Sequence, residues 1–161
     1  MDNTGLPLAE IATDWHEYQA GMARALAPLS ADQLALRPAP DMWSVGMIAS
    51  HIVAVRVSWF HGWMGAGPAE LDALADWDDE PEPHSAADIV SNLSLTWSLV
   101  QSALSLWTAE DLEKSYNSPY RKDRPPRTGK WIVWHVIEHD IHHGGEISLL
   151  LGMNGVPTMD A

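Results

Sequence analysis

Four stretches of this chain repeat apolar residues every three or four positions, and none shows a convincing strand alternation. Such a pattern commits a chain to helices packed along their apolar stripes. The first stripe is Leu8, Ile11, Trp15, Tyr18, Met22 and Leu26, closed by Pro28. A short capped turn follows from Ser30 to Leu34, with Ser30 or Asp32 as the cap. The segment Arg37-Pro38-Ala39-Pro40-Asp41 then breaks the helical pattern. The second helix is predicted to start at Ser44, behind Trp43, with the core stripe Met47, Ile48, His51, Val55, Ser58 and Trp59. It fades between Gly62 and Gly67. Ser85 caps a third helix with the stripe Ile89, Leu93, Trp97, Val100 and Leu104. The fourth opens near Thr128 and runs to about Leu151, with Gly152 as its stop.

Two long connections separate these helices. One, from Gly65 to His84, carries Asp76, Asp78, Asp79, Glu80 and Glu82 with Pro81 and Pro83, and reads as a surface loop or short irregular turns. The other, from Ser115 to Lys130, is rich in Pro and Arg. No internal repeat or second domain is visible. The prediction is one all-α domain over Met1–Ala161, a four-helix bundle with two long inter-helix connections.

Composition narrows the functional classes. The formal net charge is −13, which repels phosphate backbones and anionic membranes, so neither nucleic acid nor membrane is an expected partner. Met1 to Pro7 carry no secretory signal pattern, and no apolar run approaches the roughly 20 residues of a membrane span. A cytoplasmic location is expected. Cysteine is absent, so thiolate metal sites, disulfides and a cysteine nucleophile are all excluded, and any thiol chemistry needs a thiol from outside. Nine tryptophans accompany one phenylalanine, and most of them follow the core stripes as packing residues.

The fourth helix contains His135, His139, His143 and Glu146 within a single narrow stripe, at about 100° per residue. His139 and His143, four apart, can converge on one ion. A third ligand must come from elsewhere, and His51, a polar residue in an apolar stripe, is the best candidate. Three neutral imidazoles leave coordination positions open, as catalytic metal sites do. Other pairings are open on spacing alone: His139 with His142, and His135 with His139. Glu146 could be a fourth ligand, a proton acceptor or a carboxylate orienting an imidazole. Asp140 and Glu138 point away from the stripe and are expected in solvent. His142 lies further round and could face another helix or a dimer partner. His16, His61 and His84 show no partner pattern and read as surface or loop residues.

The sequence resembles the DinB-like superfamily of helical-bundle metalloproteins (DinB, YfiT and their relatives). Three features carry the resemblance, which extends over nearly the whole chain. They are the Leu-Ser-Ala-Asp-Gln-Leu turn at Leu29 to Leu34, the Trp43-Ser44-Val45-Gly46 start of the second helix with His51 behind it, and the closing run His139-Asp140-Ile141-His142-His143-Gly144-Gly145-Glu146-Ile147. It implies a mirror variant of the up-and-down four-helix bundle, a homodimer, and a metal held by His51, His139 and His143. It also implies relatives that are bacillithiol- or mycothiol-dependent S-transferases, or a maleylpyruvate isomerase. Many relatives carry Arg after the last ligand and Gln two positions later. This chain has Gly144 and Glu146 there, which puts substrate preference in doubt.

A three-imidazole dication can activate a bound water or thiol by stabilising its anion. The leading expectation is therefore a metal-dependent enzyme that activates a low-molecular-weight thiol, such as mycothiol or bacillithiol, for transfer to small electrophiles. The alternatives are a metal-dependent hydrolase and a non-catalytic metal-binding dimer. Zinc is the first expectation for the metal and nickel the second. Glu146 and His135 are the candidate proton carriers. Arg121, Arg124 and Arg127, in the loop leading into the fourth helix, are the candidate carboxylate-binding residues for a small-molecule substrate.

Overall fold

The computed structural model describes residues 8–79 and 84–159, with side chains from Glu10 onward. Expectations placed on Met1 to Pro7, on the Leu8 side chain and on Glu80, Pro81, Glu82 and Pro83 lie outside those residues. The elements are α1 (Leu8–Leu26), α2 (Ala31–Leu34), α3 (Val45–Arg56), α4 (Ala86–Leu106), α5 (Ala109–Glu113) and α6 (Gly129–Met153). The all-α expectation holds apart from a two-stranded antiparallel ribbon, β1 (Ser115–Tyr116) against β2 (Arg127–Thr128). Strands of two residues are too short to leave a period in the sequence.

Polar caps set the helix starts where the sequence places them. Ser30 caps α2 and completes a capping box with Gln33; Ser44, Ser85 and Thr128 cap α3, α4 and α6. The end of α6 differs from expectation. Gly152 stays inside the helix, and the stop is Gly155, whose φ of 69° lets Val156 N–H bond back to the Leu151 carbonyl at 3.0 Å. The acidic connection is more ordered than a loop. It folds into short 3₁₀ turns at Ala69–Leu74 and Trp77–Asp79, and Trp77 is buried. His61 and His84 are therefore tied down. His61 lies 2.7 Å from the Ala66 carbonyl, and His84 stacks on Trp77 at 3.6 Å. Between α3 and this connection the chain continues as a π-helical segment, Val57–Trp63, with Tyr120 of the second long connection packed over Gly62.

The long helices do not pack in sequence order. α1 lies mainly on α4, α3 on both α4 and α6, and α6 closes back on α1. The connections from α1 to α3 and from α4 to α6 thus cross the assembly, which is why neither is a tight hairpin. The α4 stripe Ile89, Leu93, Trp97, Val100 and Leu104 is fully buried, and Trp15, Met22 and Leu26 of α1 face it. Of the expected α3 stripe, Ile48 is core and the rest is not. Met47 is 41% exposed and Val55, Ser58 and Trp59 are half-buried, whereas Val45, Ala49, Ile52, Val53 and Arg56 are buried. A helix as apolar as α3 is buried over most of its circumference, so the stripe containing His51 was free to line a different seam.

Arg56 is the largest fully buried side chain, and it answers a second correction. Asp140, expected in solvent, is also fully buried and is ion-paired with Arg56 at 2.7 Å. The rotation that takes Asp140 off the histidine stripe turns it toward the centre of the helices. Trp15 Nε1 donates to Asp140 at 2.7 Å, and Arg56 also donates to the Leu93 carbonyl at 3.2 Å. One network therefore joins α1, α3, α4 and α6. Removing one partner strands the other charge in an apolar interior. Asp140→Asn should lower the unfolding free energy by about 3–5 kcal/mol, measured by denaturant titration; a change within a few tenths would show that the pair does not hold the helices.

Candidate metal centre

Helices α3 and α6 run antiparallel along a shared seam, and their residues meet in pairs along it. Trp43 lies beside His51 and His143, with ring centroids 4.7 and 6.1 Å away. His51 sits 4.8 Å from His139 and 5.2 Å from His143, and the last two are 4.3 Å apart. One turn further, Trp59 meets His135 at 5.0 Å and Trp131 at 5.4 Å. The three histidines singled out as ligands therefore do converge, because i and i+4 on α6 project together and His51 faces them across the seam.

The three residues can present one ligand atom each, all within 4.8 Å of one another. His51 Nε2 and His139 Nε2 are 3.1 Å apart. Nitrogens held about 2.0–2.1 Å from a tetrahedral ion lie about 3.3 Å from each other, so the pair stands close to coordinating separation. Two of the three rings are oriented by carboxylates on their other nitrogen. Asp78 lies 2.5 Å from His51 Nδ1, and Glu146 lies 2.7 Å from His143 Nδ1. A carboxylate accepting from Nδ1–H fixes the tautomer that turns the Nε2 lone pair inward. His139 differs, since its Nδ1 is buried without a hydrogen-bond partner. An imidazole left so poorly satisfied in the interior needs compensation at its other nitrogen, and a shared cation supplies it. The residues present fit a metal ion.

Protonation points the same way. Burial, reinforced by the neighbouring His143 and His51, pushes His139 down to about 3. Burial also lowers His143, against the opposing pull of Glu146, and lowers His135, against Glu138. A neutral imidazole is the form that binds metal, so these rings need shed no proton near neutral pH.

Glu146 reaches His143 and, at 3.4 Å, His142; these three form a second, more exposed group of possible ligands that shares His143. His135 lies one turn from His139, centroids 6.1 Å apart, and its Nδ1 is 3.5 Å from Glu138. The three arginines of the second connection are not gathered at the centre. Arg121 is exposed and paired with Asp123 at 2.6 Å, and Arg124 is exposed. Arg127 lies 4.3 Å over the Trp131 ring, which stacks on His135 at 4.8 Å. Of the three, Arg127 is linked to the histidines, reaching His135 through the Trp131 ring.

Two members of the site were missed by sequence reasoning. Asp78 is one of seven acids between Gly65 and His84, and nothing local marks which one folds back onto His51. Trp43 precedes α3 with its ring against two ligand candidates, though its place before the cap suggested only a helix start. A cleft of about 1000 Å³ opens beside His51 and is lined also by Asp78, Trp43 and Met47. That explains the exposure of Met47. Asp78→Asn should weaken metal binding about 10–100-fold while the fold persists, read by competition with a chromogenic chelator; unchanged affinity would show that Asp78 does not orient a ligand.

No curated protein matches the chain in sequence. Among solved structures, a DinB-like protein from Bacillus cereus ATCC 10987 superposes with a TM-score of 0.70 at 24% identity, covering 90% of this chain and 92% of its own. A conserved protein from Enterococcus faecalis gives 0.67 at 17% identity, covering 92% and 99%. A DinB-like protein from Bacillus subtilis gives 0.62 at 16% identity, covering 93% and 97%. These likenesses establish a common fold. The sequence pattern of the DinB superfamily matches residues 14–147, from the first helix through both ligand-bearing segments, and the chain belongs to that superfamily.

Proposed function

We propose that the protein is a metal-dependent enzyme that activates a low-molecular-weight thiol for transfer to small electrophiles. The observation that carries this reading is a cluster of three imidazoles, with no carboxylate in the set among the described residues, that opens at His51 onto a cleft. A structural metal site is closed by a fourth protein ligand. Here Glu146, the residue able to close it, is turned to the outer nitrogen of His143. A divalent metal, zinc before nickel, would supply a Lewis acid that favours the anion of a thiol or of water.

The chain's own residues have the remaining tasks. His51, His139 and His143 hold the metal, with Asp78 and Glu146 fixing two of the rings. His135, held neutral by burial one turn from the ligand pair, takes the thiol proton. The sulfur lone pair then forms the new C–S bond, and the leaving group departs with its bonding electrons. Glu146, which accepts from His143, is the second proposed proton carrier. With no cysteine in the chain, the sulfur comes from a soluble thiol such as mycothiol or bacillithiol. Of the three arginines of its loop, Arg127 is linked to this seam, through the Trp131 ring.

The test is elemental analysis of the wild type and of His51→Ala, followed by turnover of a chromogenic aryl halide with and without each thiol. The expected result is one metal ion per chain in the wild type, its loss in the variant, and thiol-dependent turnover. Thiol-independent release of product from an ester would replace this reading with hydrolysis. A loaded protein inert to both would reduce it to a metal-binding scaffold.

The proposed homodimer has a surface suited to it. Trp134, Ile141, Leu149 and Met153 lie along the outer face of α6, each more than half exposed, with Gly145 among them leaving open space for close approach. Ile141→Asp combined with Leu149→Asp should convert dimer to monomer in light scattering while metal content stays unchanged; a wild-type monomer, or a variant that still dimerises, would remove this face from consideration.

A further inference from the structure

The cleft at His51 is mostly apolar, and among its lining residues there is a single lysine or arginine, Arg37. Arg37 is exposed. Arg56, Arg121 and Lys130 are each bound to a carboxylate, and Arg127 to a tryptophan face. Arg37 has no carboxylate within ion-pair distance among the described residues. Its recorded bond is one N–H to the Pro40 carbonyl at 3.3 Å, which leaves most of the guanidinium fork for another acceptor. Pro38 and Pro40 follow it, and Val45 N–H bonds the Leu36 carbonyl at 2.9 Å, so the backbone presenting Arg37 is stiff.

Leu29, Leu34, Trp43 and Met47 line the same cleft as Arg37 and His51, and Trp43 and Met47 are 44% and 41% exposed. Trp43 also touches the His51 and His143 rings, so this wall is continuous with the metal centre. Beside His51, Asp78 is engaged by its ring, and Asp79 next to it is exposed. An anion is repelled there and attracted at Arg37, which orients any ligand carrying one negative charge.

We propose that the cleft binds an anionic amphiphile, a small molecule with an apolar body and one carboxylate. The carboxylate sits on Arg37, the body on Trp43 and Met47, and the reactive end lies at His51. The proposal deepens the enzymatic reading and rests on it for the reactive end alone; the carboxylate site stands on Arg37 and the apolar wall. It also moves substrate recognition away from the second connection to a segment next to α3.

Isothermal titration calorimetry with octanoate, octanol and octylamine tests it, on zinc-loaded and metal-free protein. In the metal-free protein a carboxylate has no zinc to ligate, so any preference belongs to the chain. The expected result is octanoate binding at least about tenfold tighter than the other two in both forms. Arg37→Gln should erase the preference, Arg37→Lys should restore part of it, and Trp43→Ala should weaken all three ligands. Zinc affinity, measured separately, should be the same in Arg37→Gln as in the wild type. Equal binding of octanoate and octanol, a preference for octylamine, no binding of any probe, or an octanoate preference that survives in Arg37→Gln would each overturn the proposal. A wild type that takes up no zinc, yet keeps the octanoate preference, would overturn the metal reading and leave the carboxylate site standing.

Discussion

Arg56 and Asp140 have surrendered all contact with water, and the four long helices meet on what they received in exchange. The guanidinium reaches both Asp140 oxygens and the Leu93 carbonyl, and Trp15 fills a further acceptor position on the carboxylate. Desolvating two charges is costly, so this pair contributes register more than net stability. Its register is the one the site needs. Arg56 lies on α3 five residues beyond His51, and Asp140 directly follows His139 on α6. A slip of either helix by one turn, about 5.4 Å, would strand a charge and part the ligands at the same time.

With the seam fixed, the remaining geometry comes from outside the two helices. α6 supplies two imidazoles and the carboxylate that holds one of them, all within two turns. α3 supplies one imidazole and no carboxylate. The acidic connection makes up that deficit by folding its second 3₁₀ turn against α3, with Trp77 buried beneath and Asp78 against His51. In a chain of net charge −13, this acid is used locally, to orient a ring beside the place where positive charge would collect.

The helices, their caps and the histidine convergence were legible because each is written in short-range spacing. Ser44, Ser85 and Thr128 announce helix starts, and His139 with His143 needs only the helical period. His51 could be paired with them because a lone imidazole in an apolar stripe calls for a partner. What was missed depends on the surroundings of a residue. Asp140 reads as solvated on a helical wheel, and only the presence of helices on two sides of α6 makes its face an interior. Arg56, in the run Val53-Ala54-Val55-Arg56-Val57, was the available clue, since a lone charge amid apolar neighbours requires an opposite one elsewhere. Met47 was assigned to the core because apolar residues usually go there, and it lines the cleft instead. Gly152 and Gly155 are indistinguishable as stops until the chain shows which of them takes a positive φ.

Gly144 shows how a departure from the related pattern is accommodated. Where relatives often carry arginine after the last ligand, this chain has a glycine packed against α1. A Cβ at that position would run into the Tyr18 phenol, which donates to the Ile141 carbonyl at 3.1 Å. The volume next to the last ligand is thus occupied from the first helix, and a long cationic side chain there would have to displace Tyr18. The two positions form one unit: the tyrosine excludes the arginine, and the glycine admits the tyrosine. No lysine or arginine therefore stands beside His143 on α6. The cation available to a ligand in the cleft beside His51 is Arg37, on a different segment.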